Sequence, residues 1–189
     1  MRRKYIILIF LVFCLVLLSG NDISFYEEYL DIFIKDTTCV LRGKYYLKNA
    51  TDHNINFPIY YPIAIDTLQY YPESIKIQNH KSQSIKHSHK AKGVNFSIPL
   101  PADTIIFIEI EYEQRIVQNQ FEYIVKSTRS WGKPLQYARV NIHVPEKYKL
   151  TSTSFSYNDV IKDENELIYV IERENFFPEK NIMIKWKEK

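Results

Sequence analysis

Three glutamates alternate along one predicted strand: Glu109, Glu111 and Glu113 lie within residues 104–115. Side chains two positions apart on a strand share a face, about 6–7 Å apart. Carboxylates separated by about 5–9 Å are what glycoside hydrolysis requires, so an exported hydrolase is one hypothesis. Ile106, Ile108, Ile110 and Tyr112 fill the alternate positions, which makes the opposite face the apolar one. The pattern therefore favours a solvated sheet face over a pair of catalytic carboxylates.

Two histidines, His87 and His89, lie in a polar segment that covers residues 79–92. In an extended segment both imidazoles face one side, an arrangement that suits Zn²⁺ or Cu²⁺. The surrounding residues are Lys, Ser and Gln, so further ligands must come from another loop, with Asp52 and His53 as candidates. The composition favours a solvated loop over a metal site.

Two tyrosine pairs, Tyr60-Tyr61 and Tyr70-Tyr71, each precede a proline. A residue before proline prefers an extended conformation, so the rings are expected at strand ends. Flat rings there predict a platform for sugars or peptides. Neighbouring residues of a strand point to opposite faces, so one member of each pair is expected in the core.

The sequence lacks the residue patterns of several other kinds of functional site. The four glycines are scattered along the chain, which excludes the Gly-rich phosphate loops of nucleotide-binding proteins. No G-x-S-x-G motif is present, although a catalytic triad is defined by geometry and not by sequence order. No cofactor is implied.

The first 20 residues have the composition of a targeting segment. Arg2, Arg3 and Lys4 precede an apolar run at residues 5–18, which as a helix spans roughly 21 Å, less than the roughly 30 Å hydrocarbon core. This length is typical of a secretory signal peptide, and a retained N-terminal membrane anchor is the alternative. In either case the positive flank predicts that residues 21–189 lie outside the cytoplasm.

Charge and cysteine content narrow the possible partners. The first 20 residues contain three basic and no acidic residues, so the remaining chain balances 22 basic against 22 acidic residues. This balance provides no electrostatic footprint for nucleic acid. Cys39 is the only cysteine after the targeting segment, which rules out an intramolecular disulfide in the exported part, and its place on an apolar strand face predicts a buried side chain.

Period-two alternation dominates the chain after residue 24. Residues 39–48 alternate cleanly between apolar and polar side chains, and turn residues follow at 49–52. About ten such segments occur at short spacing, with almost no helical periodicity. The sequence predicts one all-β domain at residues 21–189, folded as an antiparallel immunoglobulin-like β-sandwich.

Four short stretches support a family resemblance. They are FSIPLP at 96–101, YIVKST at 123–128, WGKP at 131–134 and ENFFPE at 174–179. Together with YYLKNATD at 45–52, they resemble exported bacterial immunoglobulin-like β-sandwich proteins that are classed as domains of unknown function. The resemblance covers about residues 39–187 and implies fold and export. It implies no active-site residues.

We therefore expect an exported, non-catalytic module that binds a protein or glycan, or plays a structural part, at the cell envelope. The hydrolase with a carboxylate or histidine site is one alternative. A membrane-anchored subunit of an envelope complex, held through residues 5–18, is the other.

Overall fold

The computed structural model describes residues 22–189. This part of the chain contains thirteen strands and one 3₁₀ helix, Lys126–Trp131. The strands are β1 (Ile23–Ile34), β2 (Thr38–Asn49), β3 (Ile55–Pro62), β4 (Ile75–Asn79), β5 (His87–Lys90), β6 (Gly93–Leu100), β7 (Thr104–Arg115), β8 (Gln120–Tyr123), β9 (Leu135–Pro145), β10 (Tyr148–Thr153), β11 (Asp159–Asp163), β12 (Glu166–Phe176) and β13 (Ile182–Glu188).

The all-β prediction is confirmed, but two of the thirteen strands were not predicted from the sequence. Strands β5 and β11 expose nearly every side chain, so they lack the alternation that marks a half-buried strand. They are recognisable only by the strands beside them, β6 and β12. The predicted polar loop at residues 79–92 thus contains a strand.

The largest sheet has seven strands in the order β11-β12-β9-β1-β2-β7-β4. The prediction of a purely antiparallel arrangement is wrong, because β1 and β9 pair in parallel over residues 27–33 and 137–143. Parallel neighbours need a long crossover connection. Here the crossover is the whole chain from β2 to β8, which forms other strands before it returns.

Two three-stranded sheets, β10-β13-β8 and β3-β6-β5, accompany the large sheet. Buried side chains from all three sheets form one hydrophobic cluster, including Leu41, Ile110, Phe96 and Ile184. The core therefore lies between one face of the large sheet and the two small sheets. The finer prediction of an immunoglobulin-like sandwich is not confirmed by this mixed arrangement.

Alternation along β2 and β7 determines which side chains reach this core. The two strands pair residue by residue from Thr38–Arg115 to Asn49–Thr104. Cys39 is fully buried, as predicted. The charged residues of the same strands face away from the core and create a second surface, here called the outer face.

No helix within residues 22–189 has both the length and the apolar character needed to span a membrane. The predicted signal peptide or anchor at residues 1–20 lies outside the described residues, so both alternatives stay predictions.

Candidate functional site

The outer face carries a ladder of ion pairs between β2 and β7. The Lys44 ammonium lies 3.4 Å from a Glu109 carboxylate oxygen, and Arg42 Nε lies 3.1 Å from a Glu111 oxygen. The partners stand directly opposite one another in the strand register. The side chains remain 39–59% exposed, and exposed pairs contribute about 1 kcal/mol or less. Their arrangement thus does more to shape the surface than to stabilise the fold.

A stripe of aromatic rings crosses the same face. The Tyr29 ring lies 5.7 Å from that of Tyr46 and 5.6 Å from that of Tyr137, and Tyr46 lies 5.5 Å from Phe107. The Lys44 ammonium sits 4.5 Å from the Phe107 ring centre, a cation–π contact. The aromatic stripe (Tyr29, Tyr46, Tyr137 and Phe107) is thus contacted at its Phe107 end by the Lys44 ammonium.

His143 anchors one end of the outer face. Its Nδ1 lies 2.7 Å from a Glu166 oxygen and its Nε2 lies 3.2 Å from an Asp31 oxygen. The ring stacks on Phe33 at 4.1 Å. Burial tends to lower the pKa of His143, but the hydrogen bonds to the two carboxylates outweigh it, so the pKa is raised. The bond from His143 is also the main reason that the pKa of Asp31 is lowered.

Replacing His143 by Gln is expected to reduce the free energy of unfolding by roughly 1–2 kcal/mol at pH 6, the scale of hydrogen bonds to charged groups. The difference should shrink as pH rises, because a raised histidine pKa stabilises the fold below pH 6.5 and this stabilisation is lost as pH passes the folded-state value. Urea denaturation at pH 6 and pH 9 measures it. His53→Gln, at an exposed site, serves as the control, and a pH-independent His143→Gln effect would contradict the assignment.

An open cleft of about 500 Å³, the outer cleft, lies on this face, with its lining drawn from β1, β2, β4 and β7. Three acidic and three basic side chains line it, so its formal charge is zero. The lining residues are Tyr29, Asp31, Arg42, Gly43, Lys44, Tyr46, Lys76, Gln78, Glu109, Ile110 and Glu111. The cleft thus combines tyrosine rings with hydrogen-bonding groups of both signs.

The glutamates occupy the predicted solvated face. Glu109 and Glu111 do share the outer cleft with another acid, Asp31, which is the circumstance that would favour a hydrolase. Both glutamates are ion-paired, however, and the pKa of Asp31 is lowered through His143. A general acid needs a raised carboxyl pKa, and Asp31 is shifted in the opposite direction.

The predicted tyrosine platform is divided in the structure. Tyr60 is 52% and Tyr70 45% exposed, whereas Tyr61 is buried. Tyr60 donates a hydrogen bond to the Lys92 carbonyl and Tyr71 to the Gly93 carbonyl, so these two meet at the β5–β6 turn. Tyr70 instead stacks under the Arg115 guanidinium. The four rings therefore do not form one surface.

The predicted histidine pair is brought together, with His87 and His89 ring centres 5.3 Å apart. Nδ1 of His89 lies 3.0 Å from the Tyr71 hydroxyl. Within residues 22–189, no group of three or more His, Cys, Asp or Glu side chains is placed to hold a metal ion. Asp52 and His53, the suggested additional ligands, hydrogen-bond to each other.

The tyrosines and basic residues of the outer cleft were not predicted as site residues from the sequence. Alternation did signal that Arg42, Lys44 and Tyr46 share the polar face of β2. Their assembly with Tyr29 and Glu109 depends on the neighbours of β2, which no local pattern specifies.

Comparisons with known proteins show the fold. The sequence matches no protein-family model, and no curated protein is similar to it in sequence. A proposed nutrient-binding protein from Legionella pneumophila has a similar structure, with a TM-score of 0.71 and 12% identity over 89% of this chain and 68% of that one.

An M1 zinc metallopeptidase from Deinococcus radiodurans is a second structural neighbour. A variant bound to a Tyr-Ser-Ala substrate aligns with a TM-score of 0.56 and 8% identity over 87% of this chain. The metallopeptidase without that substrate gives 0.55 and 9%. This chain spans 42% of the peptidase chains, and at such identities the likeness concerns the fold alone. The comparisons thus support an all-β fold shared with these proteins and lend no support to an immunoglobulin-like family.

Proposed function

We propose that this chain is an exported, non-catalytic binding module of the cell envelope, and that its outer cleft binds a neutral glycan. The observation that carries the proposal is the cleft itself, where partly exposed tyrosines stand among charged groups whose formal charges cancel. The fold shared with a proposed nutrient-binding protein supports a binding role. Export is inferred from residues 1–20 alone.

The chemistry of the cleft matches a sugar in two respects. A sugar ring has an apolar C–H face, which packs on an aromatic ring such as Tyr46 or Tyr29. Its hydroxyls both donate and accept hydrogen bonds, and the cleft offers carboxylates of Glu109 and Glu111 beside the Arg42 guanidinium.

The zero formal charge of the cleft argues against a strongly charged partner. Arg42 and Lys44 are already paired with glutamates, so an anion would have to displace a carboxylate to reach either of them. Charged partners are generally attracted by a surface potential of one sign, and the balanced lining supplies none. A neutral polyhydroxylated ligand avoids this conflict.

Replacing Tyr46 by Ala is expected to weaken binding of a neutral oligosaccharide about tenfold, which corresponds to about 1.4 kcal/mol. Isothermal titration calorimetry with neutral glucan and xylan oligosaccharides measures this, and a sulfated oligosaccharide serves as the charged comparison. Tyr157→Ala is the matched control, since Tyr157 is 48% exposed and lies outside the cleft.

Unchanged affinity in Tyr46→Ala, or tighter binding of the sulfated sugar, would contradict the proposal. Analysis of the same samples for newly formed reducing ends separates the alternatives. Release of shortened sugars would favour the hydrolase hypothesis, whereas binding without cleavage supports a non-catalytic module.

A further inference from the structure

A second cavity opens between the large sheet and the β3-β6-β5 sheet. It has a volume of about 60 Å³ and is here called the tyrosine recess. Its wall is mainly aromatic and aliphatic, and Tyr45, Tyr61 and Tyr123 contribute to it. The 3₁₀ helix closes one side with Ser127, Thr128 and Trp131.

Hydroxyl groups converge on the recess. Tyr45 and Tyr61 share a hydrogen bond of 2.7 Å between their hydroxyl oxygens. The Tyr123 hydroxyl lies 3.4 Å from that of Tyr45 and donates to a Glu28 carboxylate oxygen. Thr128 is 5% exposed, and its hydroxyl has no hydrogen-bond partner within residues 22–189. A buried unpartnered hydroxyl at a cavity wall is a group that a ligand can satisfy.

Glu28 is fully buried behind this wall, and its second carboxylate oxygen finds no hydrogen-bond partner in the described part of the chain. The titratable groups that interact with it are Tyr45, Tyr61 and Tyr123. Burial holds the pKa values of these tyrosines well above 10, so all three stay neutral. Among the described residues, no Lys, Arg or His lines the recess, and none of them offsets a negative charge on Glu28 there.

The recess adjoins a wider surface groove of about 510 Å³. Both cavities are lined by Ile59, Tyr60 and Trp131, and Phe57 extends the groove wall by stacking on Trp131 at 5.3 Å. The pair of cavities thus has the shape of a narrow inner site that continues into a mainly apolar outer one, whose lining also includes Asp22.

We infer that the tyrosine recess binds the ammonium group of a small organic amine, whose apolar body lies in the adjoining groove. Aromatic ring faces attract cations, most strongly where water is excluded. The Glu28 carboxylate adds the opposite charge, and the Thr128 hydroxyl can accept a hydrogen bond from the ammonium. The recess has room for only a few non-hydrogen atoms, so the rest of the ligand must remain in the groove.

Three probes of equal length and different charge test the inference: butylamine, 1-butanol and butyrate. In calorimetric titrations of the full chain at pH 8, butylamine is expected to bind at least tenfold more tightly than 1-butanol, and butyrate not at all. Between pH 8 and pH 5 the affinity for butylamine should fall, because protonation neutralises Glu28, while that for 1-butanol should stay constant. Equal affinities for amine and alcohol would overturn the inference.

Single-residue variants distinguish the contribution of the Glu28 charge from that of the shape of the recess. Glu28→Gln is expected to abolish the preference for the amine and to retain alcohol binding, whereas Glu174→Gln, at an exposed position of β12, should change neither. Ser127→Trp, at the mouth shared by both cavities, should block all binding while far-UV circular dichroism and the urea unfolding midpoint stay native. A preserved preference for the amine in Glu28→Gln would overturn the assignment. None of these outcomes depends on glycan binding at the outer cleft.

Discussion

Replacing Glu28 by Gln is expected to raise the free energy of unfolding by about 3 kcal/mol at pH 8 and to leave it nearly unchanged at pH 4. Burial raises the pKa of the Glu28 carboxyl from 4.5 to about 7, and the hydrogen bond from Tyr123 offsets only part of this rise. Each pKa unit corresponds to about 1.4 kcal/mol. Because the group is fully buried, little of this energy is screened by solvent.

The sign of this stability change follows from the number of protons that the folded and unfolded states bind. Between pH 4.5 and pH 7 the unfolded chain loses the Glu28 proton while the folded chain retains it, so deprotonation favours unfolding. The wild-type protein should therefore lose stability across this range and reach a plateau above it. Glutamine has nearly the same shape, carries no charge and removes this loss.

Urea denaturation of both proteins from pH 4 to pH 9 measures the effect. His143 also stabilises the fold more at low pH than at high pH. The stabilisation from His143 is lost only above pH 6.5, however. Repeating the comparison with His143→Gln in both proteins removes that contribution. Parallel stability curves for the wild-type protein and the Glu28→Gln variant would show that burial does not raise the pKa of this carboxyl.

Replacing Gly43 by Ala is expected to destabilise the protein by about 1–3 kcal/mol, the usual scale for overpacking a core. A Cβ atom at position 43 would overlap the Tyr45 hydroxyl oxygen and lie 2.5 Å from a carbon of its ring. The Tyr45 ring therefore lies over Gly43 on the core face of β2. It cannot move aside without breaking its hydrogen bond to Tyr61.

A double-mutant cycle isolates this contact. In a Tyr45→Leu background the ring is absent, so Gly43→Ala should become nearly neutral in thermal or urea unfolding. If the alanine costs the same with and without the Tyr45 ring, the contact is not the cause. Because Tyr45 lines the tyrosine recess, Gly43→Ala should also weaken butylamine binding.

Local pattern predicted much of the fold. The alternation over residues 39–48 correctly placed Cys39, Leu41 and Leu47 in the core, and their polar neighbours on the opposite face. Alternation is uninformative where a strand is exposed on both sides, as in β11. The repeated Tyr-Tyr-Pro pattern also suggested one platform for Tyr60 and Tyr70, although they lie in different environments.

The binding surfaces were less accessible to prediction, because each is assembled from strands distant in sequence. The outer cleft joins β1, β2, β4 and β7, and the tyrosine recess adds β3, β6, β8 and the 3₁₀ helix. Strand order across the sheets decides these neighbours. The parallel pairing of β1 with β9 shows how far that order departs from the order of the chain.

Alternation is a local property of the chain, so the sequence alone was enough to predict the half-buried strands, each with one apolar and one polar face. The tertiary structure was needed to show that Phe25 joins Glu28 and Leu30 on the core face of β1. A register shift in β1 between Phe25 and Glu27 keeps both Phe25 and Leu30 in the core, although an unbroken alternation would place them on opposite faces. Glu28 shares the face of Leu30 and lies opposite Tyr45, so the shift brings Phe25 onto the same face as a buried carboxyl. The shift arises from the pairing of β1 with β2, and no pattern within β1 itself reveals it.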